Sequence, residues 1–400
     1  MGRNLIICTD GTWNTPDQRD QHRLVPSNVV KLCRAASGQS KDGTEQLVYY
    51  DAGVGTAGLW DKLKGGMFGV GLSDNVMQAY TALGHIYQPG DRLFLFGFSR
   101  GAYTARSLAG LIGLCGIPDA EGDRNKAREI AKRAMEIYRI DPRKNRNERE
   151  QKAAAHAEEF ARHNADGELL NDVWFVGVWD TVGALGVPLN KLNFIASGKH
   201  KFHDVTLGAH IHNAYHALAI DERRKPFSPA LWTASDTAQP AAQKVQQLWF
   251  PGVHSNIGGG YLDAGLSDRA FLWIALQARD CGLGFDAHYM GLRVDPNYHA
   301  ELRDSMTRVY QALGPVSRQL FGPRDRAALG EAIHYSAKRR FEHVTQSSYA
   351  QSHARENLGK ALADTNNMIA PPLPDEGKIH MAGAIDWNGD PAAPTPRHFI

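Results

Sequence analysis

The chain has 400 residues, of which 42% are hydrophobic, and a formal net charge of +2. This length suits one large α/β domain with insertions or two ordinary domains, and the small net charge argues against nucleic acid as a partner. The four cysteines are widely spaced without a CxxC pair, which fits a reducing compartment or a protein that needs no disulfides. No apolar run is long enough for a signal peptide or a membrane span, so we expect a cytoplasmic protein, with export by a route that uses no cleavable signal as the alternative.

Short apolar runs that end in or near Gly, Asp or Ser predict five buried strands. These are Asn4–Cys8, Gln46–Tyr50, Arg92–Phe96, Val173–Val178 and Val245–Phe250. Most of them lack the alternation of a half-exposed strand, which favours a parallel sheet covered on both faces. The helical segments are Val29–Ala36, Ser73–Tyr87, Arg100–Leu114 and Ser267–Asp280. Strands that alternate with helices predict a doubly wound α/β fold.

A charged segment interrupts this alternation between the third and fourth strands. It covers about residues 119–168, is rich in Ala, Lys, Arg and Glu, and is broken at Asp141-Pro142. The pattern predicts two inserted helices that form a solvated hairpin, with a lid or a partner surface as the alternative. We expect this insertion to belong to a catalytic domain that spans residues 1–290.

The strand signal fades after about Gln277. Asp304–Leu320, broken at Gly314-Pro315, and Arg326–Arg340 favour helix, so residues 291–368 are predicted to form a C-terminal helical cap or extension. Several prolines punctuate residues 369–400, which we expect to be an irregular tail, either packed on the surface or disordered.

The stretch Gly97-Phe98-Ser99-Arg100-Gly101 stands between the third strand and a helix. Strand, Gly-x-Ser-x-Gly and helix in this order are typical of a nucleophile elbow, which holds the serine on a sharp, exposed turn. Ser99 is therefore the candidate nucleophile, with a structural Gly-Ser-Gly turn as the alternative. The N–H of Arg100, at the start of the helix, is the natural first donor of an oxyanion hole.

A nucleophilic serine needs a base and an acid that orients the base, and in this topology they follow in the order acid, then histidine. Asp180 stands at the end of the fourth strand, and His254 follows the fifth strand before a triple-glycine loop. We predict His254 as the base and Asp180 as the acid. The rival acids are Asp221, Asp263 and Asp268.

The second oxyanion donor is expected from the turn after the first strand, where Gly11 and Thr12 follow Cys8. A backbone N–H of either residue would complete the hole. Alternatively, this is a plain turn in which Asp10 holds its own backbone by hydrogen bonding.

Weaker patterns predict little chemistry of their own. The glycines of Gly65–Asn75 lack the spacing of a phosphate- or dinucleotide-binding loop, so a flexible loop before the next helix is favoured. His212 and His216 would share one face of a helix as a metal pair can, but no HExxH pattern accompanies them, and packing histidines are favoured. Neither a cofactor nor a metal is predicted. The charged turn Ala219–Phe227 favours an ion-pair network, with Asp221 or Arg223 as candidate supports of the site.

Six blocks occur in chain order between about Asn4 and Leu283: CTDGTWN, YYDAGVGT, GFSRGAYTAR, VWDTVGALG, HALAIDERRKPF and WFPGVHSNIGGGY. Together they resemble the α/β-hydrolase family that includes the first class of type VI lipase effectors, the phospholipases of bacterial type VI secretion. The resemblance implies an α/β-hydrolase fold, with a mostly parallel central sheet flanked by helices, and a serine esterase mechanism. The family's serine and histidine fall on Ser99 and His254. Family members commonly carry Asp two residues after the histidine, where this chain has Asn256.

We therefore predict a serine hydrolase of carboxylic esters, with lipids and phospholipids among the candidate substrates and a membrane surface as a candidate partner. A housekeeping or biosynthetic esterase would use the same residues. A non-enzymatic binding or assembly module on the same scaffold is the alternative from another functional class. The sequence does not determine the oligomeric state.

Overall fold

The computed structural model describes residues 2–11, 14–53, 68–182, 206–234, 239–312, 314–322, 327–343, 353–364, 368–379 and 384–399. Its strands are β1 (Asn4–Thr9), β2 (Arg19–Asp20), β3 (Arg23–Leu24), β4 (Gln46–Asp51), β5 (Arg92–Phe98), β6 (Val173–Trp179), β7 (Ile211–Ala219), β8 (Lys244–Phe250), β9 (Glu331–His334), β10 (Ile369–Ala370) and β11 (Arg397–His398). Nine of them form one sheet in the order β10-β9-β8-β7-β6-β5-β1-β4-β11, while β2 and β3 pair separately. Every pairing described within the large sheet is parallel.

Helices cover both faces of this sheet. They are α1 (Asn28–Ala35), α2 (Phe68–Ile86), α3 (Arg100–Cys115), α4 (Arg124–Tyr138), α5 (Arg146–Phe160), α6 (His254–Gly258), α7 (Gly265–Asp280), α8 (Ala287–Arg293), α9 (Arg308–Ala312), α10 (Tyr335–His343) and α11 (His353–Ala363). The predicted α/β-hydrolase fold, with a mostly parallel sheet flanked by helices, is confirmed.

Alternate residues of the central strands point into different cores. On β5, Leu93 and Leu95 pack in the cluster that contains α3, whereas Phe94 and Phe96 pack in the cluster that contains α7. Both sets are almost fully buried. A strand covered on both faces has no solvent side, which explains why the sequence shows continuous apolar runs instead of alternation.

The five predicted strands are confirmed, each within two residues of its predicted ends. A strand between the last two of them, β7, was not predicted. Its polar residues, Asn213 and the buried His216 among them, interrupt the apolar run. The expectation that His212 and His216 share a helix face is wrong, because both lie on β7, where side chains repeat every second residue.

The helical prediction for Arg326–Arg340 is wrong in part. Glu331–His334 form β9, which pairs with β8, and α10 begins only at Tyr335. Pairing with a neighbouring strand outweighs the local propensity of so short a segment. Within Asp304–Leu320, the described helix is limited to α9.

The inserted segment forms α4 and α5, as predicted. The hairpin is only partly solvated, because α4 buries Ala127, Ile130 and Ala134 in the core cluster shared with α3. In the tail, β10 and β11 add to opposite edges of the sheet, and Trp387 is buried. The domain boundaries drawn from the sequence stay predictions.

Candidate active site

The candidate site lies at the edge of the sheet where the parallel strands end. The carboxyl ends of β1, β5, β6 and β8 meet there, and ligands of open α/β sheets bind outside this edge. Ser99 follows β5, Asp180 follows β6, and His254 begins α6 shortly after β8. The structure thus brings His254 together with Asp180, which is 74 positions earlier in the chain, and with Ser99, which is 155 positions earlier.

Ser99 occupies the strained turn that the sequence predicts. Its φ of 59° and ψ of −121° lie outside the regions that non-glycine residues normally adopt. A Cβ on Gly97 would stand 2.5 Å from the carbonyl oxygen of Gly101, and one on Gly101 would collide with the carbonyl oxygen of Thr9. The Thr9 hydroxyl in turn donates to the Gly101 carbonyl at 2.7 Å. Both glycines are therefore required by close backbone approach, and β1 holds the turn in place.

His254 lies within hydrogen-bonding distance of both partners proposed for it. Its Nε2 is 2.8 Å from Ser99 Oγ, and its Nδ1 is 2.6 Å from Asp180 Oδ2. The ring packs between Phe98 and Phe227, with centroid distances of 4.7 and 4.9 Å. These aromatic contacts leave the imidazole little rotational freedom.

Asp180 is fully buried and sits in a left-handed conformation with a φ of 41°. Its Oδ1 accepts hydrogen bonds from the Ala219 N–H at 3.0 Å and from Arg318 Nη1 at 2.6 Å. Its Oδ2 accepts from Arg318 Nη2 at 2.9 Å as well as from His254. These hydrogen bonds hold the carboxylate in one orientation, and the Arg318 guanidinium neutralises its negative charge.

The rival acids have other partners. Asp221 accepts the Gly252 N–H at 2.6 Å, and Asp263 accepts the N–H groups of Gly265 and Glu301. Asp268 forms a buried ion pair with Lys31. Among these four carboxylates, the described hydrogen bonds join only Asp180 to the His254 ring.

Burial by itself raises the pKa of the Asp180 carboxyl, but the positive charge of Arg318 and the hydrogen bond from His254 outweigh it and hold that pKa well below its usual range. Burial lowers the pKa of His254, although Asp180 opposes this shift. At neutral pH, Asp180 is therefore ionised and His254 is neutral. Because a carboxylate only accepts hydrogen bonds, the imidazole proton belongs on Nδ1, and Nε2 accepts from the Ser99 hydroxyl.

The turn after β1 adjoins Ser99, since a Cβ on Gly11 would stand 3.2 Å from Ser99 Cβ. The Gly11 N–H, however, donates to Asp10 Oδ1 at 2.7 Å. This hydrogen bond agrees with the alternative stated for this turn, in which the Asp10 side chain binds the backbone of its own turn. Thr12 lies outside the described residues. Arg100 is the first residue of α3, where backbone N–H groups and the helix dipole favour negative charge.

Sequence reasoning missed three supports of the site. Glu222 accepts the backbone N–H of His254 at 3.1 Å, Arg318 holds Asp180, and His216 Nε2 accepts the Thr181 N–H at 3.1 Å. Recognising β7 would have placed Glu222 at the same edge of the sheet as the candidate site. No sequence signal distinguishes Arg318, which lies in a stretch broken by glycine and proline.

Glu222 forms a second charged pair beside the site. It accepts two hydrogen bonds from the Arg224 guanidinium, at 2.9 and 2.8 Å, one from the Arg224 backbone N–H at 2.8 Å, and one from the Ser305 hydroxyl. Burial raises its pKa, but the pairing with Arg224 brings the pKa below the usual value. The Arg224 guanidinium also covers the Phe227 ring at 3.5 Å, so this pair supports the ring that contacts His254.

The described residues contain no group of three or more His, Cys, Asp or Glu side chains arranged to bind a metal ion. The Nε2 atom of His212 lies 3.3 Å from Oδ1 of Asp172. His216 is buried, and burial is the chief cause that lowers its pKa to about 3.

Of the glycine-containing loop predicted at Gly65–Asn75, residues 65–67 lie outside the described part, and α2 begins at Phe68.

Comparison with known proteins places the chain in a family. Residues 3–277 match the family model described as T6SS, Phospholipase effector Tle1-like, catalytic domain. An uncharacterized protein of Saccharomyces cerevisiae is 29% identical over 248 residues, which cover 58% of this chain and 33% of that protein. The match thus spans about a third of the length of that relative.

Two solved structures are also similar. A crystal structure of an uncharacterized protein from Pseudomonas aeruginosa has a TM-score of 0.43 and 15% identity, covering 100% of this chain and 64% of that one. The Tle1 effector bound to the VgrG spike from the type 6 secretion system has a TM-score of 0.35 and 19% identity, covering 66% of this chain and 52% of that one. The family model matches more than half of the chain, and this match confirms the resemblance seen in the sequence motifs. The chain belongs to the family of T6SS Tle1-like phospholipase effectors, as a relative of their catalytic domain.

Proposed function

We propose that this protein is a serine hydrolase that cleaves carboxylic esters of lipids through Ser99, His254 and Asp180 and an acyl-enzyme intermediate. One observation carries the proposal: the Ser99 hydroxyl, on a strained strand-to-helix turn, donates to a histidine that in turn donates to a buried, ionised aspartate. Hydrogen bonds in this series are the arrangement that activates a serine for nucleophilic attack.

In the acylation step, Ser99 Oγ attacks the ester carbonyl while His254 Nε2 takes the hydroxyl proton. The imidazolium that forms is stabilised by Asp180, whose charge is present throughout the neutral range. The carbonyl oxygen becomes an oxyanion, for which the N–H of Arg100 at the start of α3 is the proposed donor. The ester C–O bond then breaks, and His254 returns its proton to the departing alcohol.

In the deacylation step, water takes the place of the alcohol. His254 Nε2 removes a proton from the water, the hydroxide attacks the acyl carbonyl, and the acid leaves as Ser99 recovers its proton. The second oxyanion donor stays a prediction. If it is Gly11, its N–H must leave Asp10 Oδ1 when the oxyanion forms.

The family supports lipid esters as the substrate class, because its model is described as a phospholipase effector catalytic domain. Phospholipids are accordingly the proposed substrates, hydrolysed as a phospholipase A would. Among the described residues, no helix is both long and apolar enough to cross a bilayer. Contact with a lipid surface is proposed for the substrate-binding step.

Labelling by a fluorophosphonate probe tests the nucleophile. We expect the wild-type protein to be labelled on Ser99 and the Ser99→Ala variant to show no labelling. Ser107→Ala is the matched control, since Ser107 lies on α3, the helix that Ser99 precedes, and is similarly buried. Labelling that persists in Ser99→Ala would reject Ser99 as the nucleophile, whereas a wild-type protein that is not labelled at all would favour the non-enzymatic module.

A substrate panel tests the substrate class. Phospholipid vesicles and short p-nitrophenyl esters are offered to wild type and Ser99→Ala at equal enzyme concentration. We expect Ser99-dependent release of fatty acid from the vesicles. Hydrolysis confined to the short esters would reject the lipid assignment and leave a soluble-ester hydrolase.

A further inference from the structure

Arg318 is the only described residue beyond the family-matched segment that donates a side-chain hydrogen bond to the Ser99–His254–Asp180 group. The matched segment ends at residue 277, and Arg318 lies between α9 and β9. Its side chain is only 3% exposed. The guanidinium faces the Asp180 carboxylate edge to edge, with N–O distances of 2.6 and 2.9 Å.

The same guanidinium joins three parts of the catalytic edge. Besides Asp180 after β6, it donates to the Ala219 carbonyl at the end of β7 at 2.8 Å and to the Phe227 carbonyl at 2.6 Å. Phe227 is one of the rings that contact His254. Arg318 therefore touches the support of the histidine as well as the aspartate itself.

A buried carboxylate without a counter-charge takes up a proton, since burial disfavours its charged form. Asp180 has no solvent exposure, and the other groups that bond it, the Ala219 N–H and the His254 ring, carry no net charge while the histidine is neutral. A planar, doubly hydrogen-bonded guanidinium supplies both the charge and the orientation that a carboxylate needs.

We propose, resting on the function proposed above, that Arg318 is a positioning residue that keeps Asp180 ionised and aimed at His254. The site is then complete only when a residue from beyond the family-matched segment is in place. The described side-chain hydrogen bonds of Arg318 go to Asp180 and to the Ala219 and Phe227 carbonyls, so Arg318 acts on the site through Asp180.

The pH dependence of the Asp180–His254 pair is the property that separates this role from a merely structural one. The charged and titratable groups that interact with the pair are Arg318, Arg224, Glu222 and His216. Asp221 interacts with Arg318. When the positive charge of Arg318 is lost, the pair binds its first proton more readily, whichever of the two residues accepts it. The acid limb of kcat/KM therefore moves to higher pH.

The experiment compares Arg318→Met and Arg318→Lys with wild type in the full chain. Arg318→Met is expected to raise the midpoint of the acid limb by about 1 to 3 pH units and to lower kcat by about 100-fold near neutral pH. Arg318→Lys keeps the charge but not the paired hydrogen bonds, so its acid limb stays near that of wild type while kcat falls. Because Asp221 has a pKa raised to about 6 by burial, the comparison is repeated in an Asp221→Asn background.

Arg340→Met is the matched control. Arg340 is fully buried, comes from the same C-terminal part of the chain and donates to backbone carbonyls of Tyr298 and Ala300. Its replacement is expected to lower the melting temperature without moving the acid limb. An equal shift in Arg340→Met, or an unshifted acid limb in Arg318→Met, would overturn the role of Arg318. If Arg318→Met does not fold, Arg318→Lys decides, and an unchanged kcat in that variant rejects the proposal.

The pH titration of the His254 ring, followed by NMR, provides a readout without turnover. We expect the midpoint to rise in Arg318→Met and to stay in place in Arg340→Met. This result would support the role of Arg318 even if the protein hydrolysed no ester. The absence of ester hydrolysis would reject the proposed function instead. Equal midpoints in wild type and Arg318→Met would reject the Arg318 proposal alone.

Discussion

Replacing Asp180 by Asn removes one negative charge from the centre of the site with almost no change in volume. Two donors, the Ala219 N–H and Arg318 Nη1, converge on Oδ1, so the amide oxygen of Asn is expected there. The amide NH2 then faces His254 Nδ1, which can no longer donate. The imidazole proton moves to Nε2, and Ser99 loses its acceptor. We expect kcat to fall by about 10⁴-fold, as it does where a catalytic histidine is held in the wrong tautomer.

The same substitution leaves Arg318 without its counter-charge. Its side chain is 3% exposed, so water cannot replace the carboxylate. Removing one member of a buried ion pair typically costs about 3–5 kcal/mol of unfolding free energy. We expect a loss of this size in Asp180→Asn, measured by urea denaturation at pH 7.

The double variant Asp180→Asn/Arg318→Met separates these two effects. It removes both charges of the ion pair while the volume of the site stays similar. The site therefore no longer holds an unpaired buried charge. We expect its unfolding free energy to exceed that of Asp180→Asn, with a coupling of about 2 kcal/mol or more between the two positions. Activity should stay as low as in the single variant, because the aspartate is still absent.

Ester hydrolysis and denaturation are measured on the same preparations of wild type, both single variants and the double variant. Turnover of Asp180→Asn within tenfold of wild type would contradict the role of Asp180 in orienting His254. Additive losses of stability in the double variant would contradict the claim that Arg318 and Asp180 neutralise each other.

Three further substitutions test the scaffold around the site. Gly101→Ala would drive a Cβ into a backbone carbonyl of β1 and is expected to cost about 3 kcal/mol by urea denaturation, whereas Gly291→Ala, with open space around it, should be near neutral. Burial raises the pKa of Asp221 to about 6 from an unfolded value of 3.8, so its contribution to stability is present below pH 4 and is lost as pH rises through 6. Denaturation between pH 4 and 8 should show a decline of about 3 kcal/mol that Asp221→Asn lacks; equal slopes would exclude this group. His216→Leu leaves the Thr181 N–H without its acceptor and should cost about 1–3 kcal/mol by thermal denaturation, and an unchanged melting temperature would show that this bond is dispensable.

Hydrophobic patterning predicted most of the sheet correctly but failed where polar residues are buried. On β7, the buried Asn213 and His216 find partners in the Trp174 carbonyl and in Gln247, which lie on neighbouring strands. Such partners are set by the pairing of distant segments and leave no periodic signal in the strand itself. For the same reason β9, a strand of 4 residues that pairs with β8, resembles part of a helix until its neighbour is known.

The turn after β1 shows another limit of sequence reasoning. Gly11 is where a second oxyanion donor is expected, and the structure does place it against Ser99. Which acceptor its N–H takes depends on the direction of the Asp10 carboxylate, and that side chain is held by Ser27 and Tyr50 from other elements. A local motif therefore predicts the position of the turn but not its hydrogen bonding.

By itself, the sequence determined the α/β class and the strand-to-helix turn at Ser99. It also determined that Asp180 and then His254 each follow a later strand. These features depend on neighbouring residues, since apolar runs, flanking glycines and strand ends all act over a few positions. The tertiary structure decided which carboxylate bonds His254 and which charge accompanies it. Arg318 reaches Asp180 across 138 positions, and only the order of the strands and the packing of the C-terminal segment bring the two together. A charge that is buried by folding needs a partner at the same depth, and local sequence does not encode where that partner lies.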